Sequence, residues 1–585
     1  MPRLEFLEDR TVPSALIVTS TADSGTGSLR DTIAAANSGD TIVFDPSLDG
    51  QIITLTSGEL AISQSLRIRG PGADELTISG NGTSRIFDLT GSGANVTIAG
   101  LTISDGLAAQ GGGIENAASN LTLSKDVLAN NEALGLPGGP GQGGGVFNGS
   151  AALLTIRDSV FTGNVAQGGA AAGANGDAGV AFGGGLFNAG AATVSDTMFS
   201  GNQAHGGDGG PLGVGGNGDG GAVINEGSLT VDDGTFHSNQ TIGGNHGRLT
   251  QFPFIGAGAA AGIYNVADLT VRDSNFTDNE ALGGAGYAGV RGGNGNGAAI
   301  LSSAFPGAAP ANATISDCTF TSNQAVGGAG GSGATGGQGS AGGVLGDRGS
   351  ITIRDCTFTD NQAMGGAGGT NGAGGAAVGG ALRIVGRDGD ISMLVTDSTF
   401  TGNGALGGPA GSGAAGGLAD GGAIANVQQF ADNRIQTLTL RDCVLTNNEA
   451  IGGAGAIGGT AHGGGIATEG GPTLTTSGIS TTMIDSLLAG NLALGADGSA
   501  GNGGNGLGGG VYVDAHAVLA MQGNTITGNT ADGGAGTAGF NNGKGQGGGI
   551  YIATGGNACA DDATVIDGNS ASTSNDDIFG VLEIC

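Results

Sequence analysis

The chain has 585 residues, 50 acidic against 18 basic, a net charge of −32 and 131 glycines. No basic cluster offsets that charge, which argues against binding nucleic acid or anionic lipid through phosphate contacts; cations, neutral glycans and other surface proteins stay open as partners. The 38% hydrophobic content recurs in phase, unlike a disordered low-complexity polymer, and no apolar run approaches the about 20 residues of a transmembrane helix.

Residues 1–15 lack periodicity and read as a tail or targeting-like segment. No ordinary secretory signal is visible, because the only early apolar patch is Ala15-Leu16-Ile17-Val18. Residues 16–105 read as an N-terminal cap with the first coils, strand-like at 16–19, 41–44, 52–55 and 66–68. Within it Gly27-Ser28-Leu29-Arg30-Asp31-Thr32-Ile33-Ala34-Ala35-Ala36-Asn37 turns briefly helical, with a small apolar face that could plug the first coil; an open end would be an aggregation edge.

From 106 to 555 the chain repeats. A full unit reads Gly143-Gly144-Gly145-Val146-Phe147-Asn148, then Leu154-Thr155-Ile156-Arg157-Asp158-Ser159, then Val160-Phe161-Thr162-Gly163-Asn164 and a Gly-rich stretch. An apolar residue, two small or polar residues and Asn close the phrase at Asn131, Asn164, Asn202, Asn239, Asn279, Asn323, Asn361, Asn403, Asn448, Asn491, Asn529 and Asn569. The interval of about 40 residues is that of solenoids and repeat arrays. Three short extended pieces per unit, alternating with period two and lacking a helix-length apolar face, predict an all-β fold, a single-stranded right-handed parallel β-helix of the pectin-lyase-like kind. Equivalent residues then stack about 4.8 Å apart.

Stacking turns repeat positions into columns. Phe161, Phe199, Phe236, Phe276, Phe320, Phe358 and Phe400 share one phase and predict an interior aromatic ladder. The closing Asn residues predict an amide ladder at a corner, and Asn116, Asn148, Asn188, Asn225, Asn265 and Asn426 mark a second corner. Asp158, Asp196, Asp233, Asp273, Asp317, Asp355, Asp397, Asp442 and Asp485 stand six places before the closing Asn. Neighbours in such a column repel by about 1 kcal/mol in water, so it must be solvated, hydrogen-bonded in Asx turns, or bridged by calcium. Nothing in the sequence requires a cofactor.

Between closing Asn and next strand lie insertions of about 15 residues, always at one phase, so all leave from one side of the solenoid. Several keep Gly at every third position, as in Gly327, Gly330, Gly333, Gly336, Gly339 and Gly342. Disordered loops are the expectation from composition; period three, that of polyproline II, points instead to rods packed as a Gly-lined sheet. Residues 556–585 read as a C-terminal cap that a Cys559–Cys585 disulfide could close, and Cys318 and Cys356 share one phase in consecutive repeats.

The Gly421-Gly422-Ala423-Ile424 and Phe400-Thr401-Gly402-Asn403 phrases resemble the repeats of polymorphic outer-membrane-protein (Pmp)-like β-helices, over about residues 106–570. Residues 22–37 look like the CSLREAI-type start of large bacterial surface β-helix proteins, with Gly27 in place of its Cys, and residues 4–14 look like a tag on planctomycete exported proteins. The resemblance implies an extracellular or cell-surface location. No autotransporter-like barrel follows the repeats, so that family's anchoring is not carried over.

For function, the expectation is a non-catalytic surface protein with an adhesion or envelope role. The alternative is a polysaccharide lyase or glycoside hydrolase, which needs an Asp cluster with calcium and an Arg, or a pair of acid/base carboxylates in a groove. No catalytic set stands out. Arg157, Arg272, Arg354 and Arg441 flank the Asp column, and only Arg248, Arg291, Arg348, Arg383, Arg387 and Arg434 break the repeat. His205, His237, His246, His462 and His516 show no ligand spacing and read as surface residues. Tyr287, Phe252, Phe254 and Phe540 are the aromatics that could stack a sugar. Positions 246–255 and 382–390 are where function is expected.

Overall fold

The computed structural model describes residues 14–247, 256–304, 307–386, 389–428, 434–470 and 478–585. Arg248, Phe252, Phe254, Arg387 and most of the expected N-terminal tail therefore lie outside the described residues.

The chain is a right-handed parallel β-helix whose strands pair with their counterparts one coil away. A coil carries more strand pieces than the three expected. In the coil of Asn164, sheet I contributes Gly141–Gln142, sheet II Val146–Asn148, sheet III both Leu153–Arg157 and Val160–Thr162, and sheet IV Val165–Gln167. The sheet I piece, two residues long at the end of a Gly insertion, has too little side-chain alternation to be read as a strand.

The Asp column marks a recurring backbone irregularity in sheet III. Asp158, Asp196 and Asp233 have φ of 50°, 46° and 53°, and the other six share this left-handed conformation. Asp tolerates it better than most L-residues; at Asp158 it falls between the strands Leu153–Arg157 and Val160–Thr162, whereas Asp196 and Asp233 sit within the unbroken strands Ala191–Ser200 and Ser228–His237. All nine are exposed, and the carboxyl of Asp233 is pushed up by burial and by Asp196, Asp232 and Asp273.

The expected ladders run through the interior. The seven Phe rings stack at centroid distances of 4.5 to 5.1 Å, each contributing about 2 kcal/mol from burial and about 1 kcal/mol from offset stacking. Each closing Asn donates its side-chain N–H to Oδ1 of the next, at 2.9 Å for Asn164 and Asn202 and 3.0 Å for Asn202 and Asn239, until Asn569 ends on Asp577 at 2.9 Å. The second corner carries its own ladder from Asn116 to Asn265.

Both ends close as the sequence suggests. A helix at Leu29–Ala35, capped by Ser28, buries Leu29 and Ile33 against the first coil. A disulfide joins Cys559 and Cys585, with Cα atoms 5.1 Å apart. Cys318 and Cys356 are stacked, buried and free; burial pushes the Cys443 thiol, in the same column, up to about 11.

Among the described residues the Gly insertions are ordered, against the expectation from composition. The one beginning at Gly327 runs out and back as a hairpin whose donors recur every three residues: Gly327, Gly330, Gly333 and Gly336 donate to Met364, Ala367, Thr370 and Ala373 of the next coil at 2.8 to 3.1 Å. A second set zigzags through the stack, with Gly328 on Gly293, Gly337 on Gly328, Gly366 on Gly337 and Gly375 on Gly366, at 2.7 to 2.9 Å. Along the legs of the hairpin two of every three positions are closed to a side chain, because a Cβ on Gly327 would stand 2.1 Å from the Gly337 carbonyl oxygen and one on Gly337 1.8 Å from that of Gly293; the rule lapses at the tip, where Ala334 takes the phase of Gly328 and Gly337. Ala329, Ser332 and Thr335 take the third position, where side chains are tolerated. The insertions form a second hydrogen-bonded wall with the three-residue period of polyproline II.

Candidate functional site

Regular columns hold the coils together, so chemistry is to be sought where a column breaks. The break of greatest chemical content lies where sheets I and II meet. Their outward side chains touch across the Gly corner, as in the Phe182–Phe187 edge contact at 6.3 Å and the His462–Tyr512 stack at 4.1 Å, so the corner is re-entrant. Apolar side chains fill it over several coils, among them Phe187, Ile224, Tyr264 and Leu345.

Polar groups then interrupt this packing. Asp219 is buried, its Oδ1 without a hydrogen-bond partner, and burial holds its carboxyl well above the usual carboxylate range. Arg383 is buried and donates to Gln338 Oε1 at 3.0 Å and to Ser340 Oγ. In the next two coils Asp420 and His462 occupy adjacent rungs of sheet I, and Glu469 ends the sheet II strand Ile466–Glu469, in register with Val427.

These three side chains converge. His462 Nδ1 lies 2.8 Å from Glu469 Oε1 and 3.1 Å from Asp420 Oδ1, with side chains 15%, 14% and 4% exposed in the order His462, Glu469, Asp420. Burial alone would lower the imidazole, but Asp420 and Glu469 outweigh it and push it up to about 10. Burial, reinforced by Asp420, raises the Glu469 carboxyl to about 6 against the pull of His462. Tyr512 closes one side, its ring on the imidazole and its hydroxyl 3.4 Å from Asp514. Beside the cluster the outward sheet II residues are Ala425 and Ala467, where the flanking coils carry Arg383 and Tyr512. Two carboxylates on one imidazole nitrogen can hold a proton or a cation, or serve as an acid/base pair.

The expected site residues are distributed differently. The nine Asp residues remain an exposed line of left-handed backbone positions; among the described residues, only Asp420, His462 and Glu469 group as three metal-ligating side chains. The surface reading of the histidines holds for His237 and His516 but not for His246, which is buried, or His462. His246 Nε2 lies 2.8 Å from the Arg291 carbonyl oxygen, because it is tucked under an insertion hairpin. Arg348 Nη2 donates to the Ala308 carbonyl at 2.9 Å, a structural contact. Tyr287 and Phe540 are exposed at hairpin tips.

Sequence reasoning missed Asp420 and Glu469. A signal existed: Asp420 and His462 each stand immediately before a Gly-Gly phrase, Gly421-Gly422 and Gly463-Gly464, and so share one phase in consecutive repeats.

Two open clefts lie elsewhere. One of about 610 Å³ is lined by Arg69, Lys125, Asp126 and Asp158; burial raises the Asp126 carboxyl to about 7 although the N–H groups of Leu101 and Ser124 donate to it, each at 2.9 Å. The other, about 580 Å³, separates sheet IV from the Gly wall along His205, Ile242 and Leu282.

No protein-family model and no curated protein matches the chain. Among solved structures it is similar to the catalytic unit of a GH87 α-1,3-glucanase from Streptomyces thermodiastaticus strain HF3-3, at 14% identity and TM-score 0.37, over 80% of this chain and 66% of that one. A PL6 alginate lyase in complex with a trisaccharide matches at 10% identity and TM-score 0.34, over 89% and 87%. A mannuronic acid-specific family 6 polysaccharide lyase from human gut microbiota matches at 9% and 0.27, over 66% and 82%. The chain spans 66% of the glucanase unit. No helix among the described residues is long and apolar enough to cross a membrane.

Proposed function

We propose that the protein is a non-catalytic rod of the cell surface or extracellular space, serving adhesion or envelope structure. One observation carries the reading: the insertions, the parts of a solenoid free to vary into binding loops, are committed to a continuous amide ladder from Gly293 through Gly328, Gly337 and Gly366 to Gly375. A wall of that kind stiffens a solenoid of about 70 Å, from fifteen strands in sheet II at the strand spacing. The outer rings support the reading too, since Tyr512, Tyr551 and Phe579 stack on each other at 5.3 and 4.8 Å and so cover the faces a sugar would need.

A second reading, a polysaccharide lyase or glycoside hydrolase, is favoured by the Asp420, His462 and Glu469 cluster, which contains an acid/base pair. It is the activity class named for the glucanase and the lyases above, whose likeness to this chain extends to fold. Incubating the purified protein with acidic and neutral polysaccharides and assaying unsaturated and reducing ends separates the two. The rod reading expects no product above a boiled control; turnover lost in Glu469→Gln would replace it with the second.

A further inference from the structure

We propose that Asp420, His462 and Glu469 form a binding site for one divalent transition-metal ion of the zinc class, held by His462 Nδ1 and one oxygen from each carboxylate.

The ligand atoms lie within 4.8 Å of one another. The contacts of 2.8 and 3.1 Å from Nδ1 to the two oxygens are a few tenths of an ångström short of the about 3.4 Å between ligands at zinc bond lengths of about 2.1 Å. Small side-chain rotations would therefore replace the shared proton with an ion.

The arrangement without an ion leaves a group unsatisfied. A single proton on Nδ1 can serve Glu469 or Asp420 well but not both: Nδ1 hydrogen-bonds Glu469, and the buried Asp420 Oδ1 is left with a 3.1 Å ion-pair contact to the same nitrogen and no hydrogen bond of its own. Buried polar groups left unmatched are costly, and buried charges are normally paired or metal-bound. A neutral imidazole, two carboxylates and a divalent cation sum to zero charge, whereas an imidazolium with both carboxylates ionised leaves one negative charge in a largely buried site.

The surroundings suit an ion. Ala425 and Ala467 leave room on the adjoining rungs, Tyr512 fixes the ring plane, and the partial exposure of His462 and Glu469 gives a path for entry and a place for a water as fourth ligand. Imidazole with carboxylate suits zinc-class ions, while calcium prefers six to eight oxygens.

The test is titration of the full-length, chelator-treated protein with Co²⁺ followed by its visible absorption, and with Zn²⁺ by calorimetry. We expect one equivalent of either ion, displacement of cobalt by zinc but not by equimolar calcium, and a loss of affinity in Asp420→Asn, His462→Gln and Glu469→Gln exceeding the about 10- to 100-fold typical of losing an outer partner. Absence of stoichiometric binding by the wild-type chain overturns the site regardless of how the variants fold. So does binding that survives His462→Gln in protein with native circular dichroism, and displacement of cobalt by equimolar calcium overturns the ion class.

Discussion

The side-chain N–H of Asn202 donates to Oδ1 of Asn239 at 3.0 Å and to the backbone carbonyl of Phe161 at 2.9 Å. One amide thus ties the Asn ladder to the strand that carries the Phe ladder, and the same pair of bonds recurs at Asn323, which reaches Asn361 and Phe276, both at 2.9 Å.

Removing one rung leaves buried groups unmatched on both sides. Asn323→Ala strips the Phe276 carbonyl of a donor and the N–H groups of Asn279 of their acceptor. It should destabilise the fold by about 2 to 4 kcal/mol, measurable as a lower urea midpoint than that of Ser332→Ala, whose exposed side chain takes part in no ladder.

The Phe column tolerates shape better than loss of volume. Phe276 stacks on Phe236 at 4.6 Å and Phe320 at 5.0 Å, yet Leu128, Leu445 and Leu488 fill the same column elsewhere. Phe276→Ala should cost about 3 to 5 kcal/mol, and Phe276→Leu clearly less. Equal losses in denaturation midpoint would mean that stacking, not burial, dominates.

In the Gly wall position decides the outcome. Gly337→Ala places a Cβ 1.8 Å from the Gly293 carbonyl oxygen, so the rods must separate there, and proteolysis should open the hairpin around residues 328–337. Thr335→Ala, one outward position away, should leave the cleavage pattern unchanged.

Asp126 sets a pH dependence of stability. Its carboxyl stands near 7 when folded against an ordinary 3.8, a raised value, so the unfolded chain loses this proton more readily. The contribution is fully present below about pH 4 and is lost as pH rises through about 7. Asp126→Ser, which installs the residue found at Ser159 in the next coil, should narrow the difference between urea midpoints at pH 4.5 and pH 7.5; an unchanged difference would mean that the N–H donors of Leu101 and Ser124 keep the carboxylate ionised throughout.

What the sequence made legible was whatever repeats. Phe161 to Phe400 and Asn131 to Asn569 recur in every coil, so their phase alone implied ladders, and the Asp phase marked a column whose left-handed backbone is seen only in the structure. The Gly insertions were half legible: the period of three was visible, but the carbonyls that Gly328 and Gly337 need belong partly to another coil, Gly293 among them, and exist only once the coils are in register. Composition therefore suggested disorder where the structure has a wall. Asp420, His462 and Glu469 occur once, and Glu469 reaches the other two only through the sheet I to sheet II corner, a contact no periodicity encodes.

The ordered Gly wall is the claim on which the rod depends, and amide hydrogen exchange tests it most directly. Gly328, Gly337, Gly366 and Gly375 donate within the ladder, so their amides should be protected to a degree comparable with those of the strand Thr357–Thr359 in the core. Exchange at the rate of an unfolded peptide at these glycines, with the strand still protected, would contradict the account.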